Sequence, residues 1–187
     1  MIPTTGPVTF AQVNAELGRA AGTAGSLNDP GTRLLACDAA ALAAGSPINM
    51  QQLRGRSGFA MNGIIGSPSP FNNPSKVSAA QEGDAGNPTP LGYVDGIAVW
   101  KIGTHVDPAL SISRTEVALY ASPPHNRFWG MGVWTSAGQH LTVLKYSDAN
   151  GFDTFSGPPA TIRIFWPISL FDFRNHYGQT LRFVFVK

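Results

Sequence analysis

Leu181-Arg182-Phe183-Val184-Phe185-Val186 alternates along its whole length: Leu181, Phe183 and Phe185 fall on one side, Arg182, Val184 and Val186 on the other. A period of two marks a β-strand, because successive side chains leave a pleated backbone on opposite faces. The same period recurs upstream. Ile162, Ile164 and Trp166 oppose Thr161, Arg163 and Phe165. Leu141 and Val143 alternate with Thr142 and Leu144, and Val117 and Leu119 with Ala118 and Tyr120. Trp129, Met131 and Val133 share a face against Gly130 and Gly132. Ile97, Val99 and Lys101 alternate with Ala98, Trp100 and Ile102, and residues 59–65 form a candidate first strand. Short strands separated by Gly, Pro and Asn turns argue for an antiparallel sandwich or barrel, and the sandwich is the expected architecture. Asn150-Gly151 predicts a hairpin between the strand of the 140s and Phe155.

Ahead of the strands the period changes. Thr9-Phe10-Ala11-Gln12 reads as a capping box, and Phe10, Val13 and Leu17 then share one helical face, with Gly18 as a stop. Asn28 or Asp29 caps a second helix with Pro30 in its first turn and Leu34 and Leu35 facing inward. A short segment ends at Leu53 and stops at Gly55. Residues 66–90 are rich in Pro, Ser, Asn and Gly. The expected organisation is therefore mainly β: a small helical module over 1–57, a linker or long surface loop over 58–90, and an antiparallel sandwich over 91–187. Some fifty residues are too few to bury a serious core alone, so the module is expected to find apolar cover elsewhere.

Composition narrows the function classes. The chain has 187 residues, of which 43% are hydrophobic and only 13% charged, with 21 Gly and 15 Pro. A low charge content suits a turn-rich β protein that hides surface against neighbours better than a freely diffusing enzyme. The net charge of +2 supports neither a phosphate-tracking surface nor a membrane-surface helix. Arg54-Gly55-Arg56 does not change that conclusion. No run is long and apolar enough to span a bilayer, and no secretory signal is recognisable. Cys37, the only cysteine, excludes an intramolecular disulfide and reads as a small apolar residue near a helix end.

The N-terminal pattern carries a resemblance. Phe10-Ala11-Gln12-Val13-Asn14-Ala15-Glu16-Leu17-Gly18, then Ser26-Leu27-Asn28-Asp29, then Thr32-Arg33-Leu34-Leu35-Ala36, then Ile48-Asn49-Met50-Gln51-Gln52-Leu53-Arg54-Gly55-Arg56-Ser57, resembles a module of tailed-bacteriophage virion proteins. That module reads approximately F-x-[DQ]-[IV]-N-x-E-L-G, S-L-N-D, V-R-x-L-A-G and G-x-I-S-M-S-D-[LF]-x-G-[KR]-S, and precedes β-rich domains in tail, collar or fibre proteins. About fifty of the 187 residues take part. Pro30-Gly31 replaces the usual small helix formers, and Cys37-Asp38 stands where Gly usually follows Ala36. The resemblance implies a structural component of a phage particle, found in the virion, with other virion proteins and copies of itself as partners. Docking would fall to Phe10, Val13, Leu17, Leu34, Leu35, Ile48, Met50 and Leu53, buried partly within the module and partly against other subunits, with Arg54 and Arg56 beside them.

Signals for chemistry are sparse. His105, His125, His140 and His176 show no metal-ligand spacing. Asp148-Ala149-Asn150-Gly151-Phe152-Asp153 has the look of a calcium loop but lacks its sixth-position Gly and twelfth-position acid, and a turn explains the same residues. No pair among Asp95, Asp107, Glu116, Asp148 and Asp153 stands out as a catalytic couple. No enzyme activity, cofactor or metal is expected. Pro123-Pro124-His125-Asn126-Arg127-Phe128-Trp129 combines aromatic, amide and guanidinium groups. With Trp134 it supports the alternative function, a carbohydrate-binding module that recognises a host surface glycan through His125, Asn126, Arg127, Trp129 and Trp134. The competing explanation is a hairpin whose Phe128 and Trp129 enter the core.

Overall fold

Two antiparallel sheets account for ten strands in the computed structural model, which describes residues 1–43, 46–65, 76–78, 91–107, 112–120, 128–155 and 161–187. The strands are β1 (Gly58–Ile64), β2 (Lys76–Ser78), β3 (Gly92–Val94), β4 (Ile97–Asp107), β5 (Ile112–Tyr120), β6 (Gly130–Thr135), β7 (His140–Lys145), β8 (Gly151–Phe155), β9 (Thr161–Pro167) and β10 (Thr180–Val186). The first sheet runs β1-β10-β6-β7 and the second β2-β4-β5-β9-β8, with β3 also paired to β4. The helices are short: α1 (Phe10–Glu16), α2 (Pro30–Leu35) and α3 (Ala39–Leu42). The protein is thus mainly β and sandwich-like, in line with the alternating sequence pattern.

The core between the sheets is made by the residues the alternation puts on one side. Leu181, Phe183 and Phe185 of β10 meet Met131 and Val133 of β6, Val117 and Leu119 of β5, and Ile162, Ile164 and Trp166 of β9. Each of these side chains is essentially sealed from water, which is worth about 1.5–3 kcal/mol apiece. Trp166 satisfies its indole N–H on the Lys145 carbonyl at 2.7 Å.

Three sequence expectations need correction. A β-bulge between Val99 and Lys101 breaks the alternation of β4, so Val99 and Ile102 both enter the core while Lys101 faces the other way. On that outer face Lys101 lies 3.0 Å and Arg163 3.2 Å from the two carboxylate oxygens of the fully buried Glu116. Buried charges persist when paired or fully hydrogen-bonded, and these are paired. Second, Asn150-Gly151 does not close a hairpin. β7 and β8 belong to different sheets, and the chain crosses between them through a 3-10 turn at Tyr146–Asp148. Third, the 58–90 stretch is not simply a linker. β1 completes the first sheet along β10, and β2 pairs with β4; the remainder of 66–90 lies outside the described residues.

The helical segment follows its local signals. Thr9 and Gln12 form the capping box of α1, and Asp29 caps α2 through the Thr32 amide at 2.9 Å, with Pro30 in its first turn. Asn49 caps a 3-10 turn at Met50–Leu53. Gly18 and Gly55 take φ values of +64° and +70° where the chain stops. Cys37 follows α2 at φ +52°, left-handed backbone that suits glycine. This is the position where the resembled motif carries Gly. The Cys37 thiol is half-buried, and burial pushes its pKa up to about 11.

Candidate functional site

The polar residues of the N-terminal pattern act as stitches. Asn14 is buried and donates to the Thr23 carbonyl at 2.8 Å, closing the turn after α1. Glu16 accepts from the Gly58 amide at 2.8 Å, tying α1 to the first residue of β1. Arg19 grips Asp29 with both guanidinium nitrogens, at 2.7 and 3.0 Å. Burial works to raise the Asp29 pKa, yet the bonds from Arg19 and Thr32 outweigh it and hold the carboxyl below its usual value. Arg33 is the central fastener. It is almost wholly buried and donates to the carbonyls of Ala41, Ala43 and Ser46 and to Asn28 Oδ1, at 2.7, 3.1, 2.9 and 2.7 Å. A guanidinium has five N–H donors spread over a planar fork, enough for these four acceptors, whereas a lysine ammonium has three on a single atom.

The apolar residues of the module pack onto the chain's own sheet. Val13, Leu17, Leu34, Leu35 and Leu53 are fully buried in one cluster with Ile2, Ala36, Ala41 and three residues from the strands, Trp134, Val184 and Val186. Phe10, Ile48 and Met50 are half-buried against the same cluster. For Val13, Leu17, Leu34, Leu35 and Leu53 the expected share of cover on other subunits is therefore corrected, while Phe10, Ile48 and Met50 keep part of their surface open. The outward face of β10 and β6 supplies the cover, so β10 is buried on both faces. Gly58 and Gly132 permit the contact: a Cβ on Gly58 would meet the Glu16 carbonyl oxygen at 2.2 Å, and one on Gly132 would meet Trp134 at 2.2 Å and Leu34 at 2.8 Å. Arg182 adds a hydrogen bond to the Leu17 carbonyl and lies 5.9 Å above the Trp134 ring. Burial lowers the Arg182 pKa, and neighbouring Arg19 lowers it further against the opposing pull of Asp29. His140 sits beside this interface, 5.2 Å from Trp134. Burial lowers its pKa, only partly offset by a backbone hydrogen bond at Thr142 and the charge of Asp29. Arg54 remains exposed and donates to the Gly6 carbonyl at 2.7 Å, while Arg56 is half-buried with its Nε 3.5 Å from the Gln52 carbonyl.

The proposed recognition residues separate. Trp134 is 3% exposed beneath the helical module, so it cannot be part of an exposed platform. His125, Asn126 and Arg127 lie outside the described residues. Phe128 does enter the core between the sheets, as a strand-start aromatic should, whereas Trp129 packs in part against the cluster beneath the helical module. Trp129 is half-buried and lines an open cleft of about 340 Å³ with Phe128, Tyr146, Ser147 and Lys187. The aromatic rings form a row from the core outward. Phe128 stands edge-on to Phe185 at 5.0 Å and to Tyr146 at 5.8 Å, and Tyr146 lies 5.5 Å from Phe152, which is 50% exposed. Burial raises the Tyr146 pKa, so its hydroxyl is neutral.

Sequence reasoning misses Arg33 as a fastener and Tyr146, Ser147 and Lys187 as partners of Trp129. For Arg33 the available signal is a single cation beside the apolar run Leu34-Leu35-Ala36. The cleft partners carry no local signal, because the turn after β7 and the strand end after β10 meet only in three dimensions. Among the described residues no group of His, Cys, Asp and Glu is placed to hold a metal ion, and no helix is long and apolar enough to cross a membrane. No protein-family model, curated protein or solved structure matches the chain.

Proposed function

We propose that this chain is a non-enzymatic structural component of a tailed-bacteriophage particle, in the tail, collar or a short fibre. The observation that carries the reading is that the segments bearing the resemblance form one continuous unit. Their defining polar positions, Asn14, Glu16, Asp29, Arg33 and Asn49, are each engaged in stitching or capping it. A motif spent on architecture in this way suits a protein whose role is its shape. Most of the apolar face is already covered, so contacts with other virion proteins and with copies of this chain fall to what remains accessible, the half-buried Phe10, Ile48 and Met50 and the exposed Ala11, Ala15, Gln51 and Arg54. Many weak contacts in a symmetric assembly then add up without any single strong interface. No role on nucleic acid or in a membrane is assigned.

The test is location. Antibody against this chain, applied to purified tailed particles, is expected to label one fixed position at constant copy number. Absence of the chain from purified infectious particles refutes the reading.

A second reading, recognition of a host surface glycan, is favoured by one observation: Trp129, Tyr146 and Phe128 line an open cleft beside polar side chains. Aromatic rings with nearby donors and acceptors are the usual means of gripping a polar ring-shaped ligand.

A further inference from the structure

We infer that the cleft lined by Phe128, Trp129, Tyr146, Ser147 and Lys187 takes one uncharged pyranose ring. This rests on the glycan reading and specifies its ligand by the walls, charge and size of the cleft.

The walls are aromatic and held in place. A pyranose presents a face of C–H groups whose weakly positive hydrogens fit the negative face of an aromatic ring. Phe128 is locked at the base by its edge-on contacts to Phe185 and Tyr146. The Trp129 amide donates to the Val186 carbonyl at 2.7 Å, and its own carbonyl accepts from the Tyr146 amide at 2.9 Å. Trp129 and Tyr146 are therefore fixed to each other through the backbone. A surface ordered before the ligand arrives loses little entropy when it binds.

Among the described residues the charge is balanced. Lys187 is paired with Asp95, and Lys145, just before the lining residues Tyr146 and Ser147, is 3.1 Å from Asp148. Among the described residues, both cations next to the cleft, Lys187 and Lys145, already face a carboxylate, so an anionic sugar must compete with one. A neutral sugar need not. The ammonium of Lys187 donates and the carboxylate of Asp95 accepts, side by side, which matches neighbouring hydroxyls on a sugar ring. Ser147 is exposed and its hydroxyl donates to Asp148 at 3.2 Å, leaving the oxygen lone pairs to accept from a ligand.

The size suits one ring. A volume of about 340 Å³ is at the low end of the roughly 300–1,000 Å³ spanned by ligand pockets. Phe152 extends the aromatic row past Tyr146, where a second sugar unit would lie in the open.

The experiment is a titration of the full chain, labelled with nitrogen-15, followed by amide chemical shifts. The probes are the methyl glycosides of mannose, galactose and glucose, against the methyl glycoside of glucuronic acid as the anionic control. At least one neutral glycoside is expected to shift the amides around Trp129 and Tyr146–Ser147, with Kd on the order of 1 mM. The glucuronoside is expected to bind at least about tenfold more weakly, and Trp129→Ala to weaken the neutral probe about tenfold. Ser147→Trp blocks the cleft from its exposed rim without touching the core. It is expected to abolish the shifts while leaving the unfolding temperature unchanged, which keeps the test decisive if Trp129→Ala misfolds. Tighter binding of the glucuronoside overturns the uncharged class and leaves the glycan reading standing. Absence of any saccharide-induced shift overturns both. Unchanged affinity in Ser147→Trp overturns the site.

Discussion

Gly132→Ala separates a covered sheet face from an open one by the sign of its effect. Gly132 lies on the outward side of β6, opposite Val184 of β10 and Val143 of β7. Its backbone is not in the left-handed region, so alanine fits the chain conformation. On an uncovered strand the change would stabilise by about 0.4–1 kcal/mol, because alanine restricts the unfolded chain. In this protein the new methyl meets two Trp134 ring carbons at 2.2 and 2.4 Å and a Leu34 methyl at 2.8 Å. Trp134 cannot swing outward, because the helical module holds it down. Overpacking of this kind costs about 1–3 kcal/mol. The net expectation is a loss of about 0.5–2 kcal/mol after the backbone gain is subtracted. With a urea slope near 2 kcal/mol/M, the unfolding midpoint falls by about 0.3–1 M. Equilibrium urea unfolding followed by tryptophan fluorescence reads it directly. A midpoint that rises in Gly132→Ala would refute the packing of the module on β6.

Other outcomes follow from the same contacts. Arg33→Ala strips four acceptors of their donor inside the module, and is expected to lower stability by at least about 1–3 kcal/mol in thermal or chemical unfolding, with Arg33→Lys, three donors on one atom, recovering only part of it. Cys37→Gly and Cys37→Ala both lose the packing of the thiol, but only glycine is free of left-handed strain, so Cys37→Gly is expected to be more stable than Cys37→Ala by about 1 kcal/mol, and equal stability would show that the φ of +52° carries no strain. The Cys37 thiol, with its pKa pushed up to about 11, is expected to resist iodoacetamide at pH 8 in the native protein and to react readily in denaturant. His140 has a folded pKa below its ordinary 6.5, so the native state prefers it neutral. Its contribution is present above pH 6.5 and is lost as pH falls from there towards the folded value. The urea midpoint is therefore expected to drop on acidification from pH 7.5, and His140→Leu to flatten that part of the profile.

Much of the sandwich is legible from side-chain alternation, because each strand half-buries itself and a buried face leaves a period of two. Leu181, Phe183 and Phe185 are readable as core for that reason. The capping residues Thr9 and Asp29 are readable because their hydrogen bonds are local. The bulge in β4 is not, since it depends on how β4 meets β5, and it reverses the expected facing of Lys101. Sheet membership of β7 and β8 is equally hidden: Asn-Gly favours a tight turn, but Tyr146–Asp148 already turns the chain toward the other sheet. The most consequential point lies between these cases. Val184, Val186 and Trp134 are apolar on the side of β10 and β6 that faces away from the sandwich core, which is the trace of a strand covered on both faces. Pairing that trace with the uncovered module of residues 1–57 requires the fold. The cleft around Trp129 is hidden for the same reason, since Tyr146, Ser147 and Lys187 reach it from distant parts of the chain.

The dependence runs both ways across the module interface. Residues 58–187 without the module would expose Trp134, Val184 and Val186, so that fragment is expected to aggregate or bind hydrophobic dyes rather than remain a well-behaved β domain.

The source of the module's cover is tested most directly by isotope-filtered nuclear Overhauser spectroscopy on a mixture of labelled and unlabelled full-length chains. Contacts between the Leu34 methyls and the Trp134 ring are expected within a single labelled molecule, at a dilution where sedimentation reports a monomer. Contacts that pass only from labelled to unlabelled chains, or that vanish in the monomer, would contradict a helical module that folds back on its own sheet.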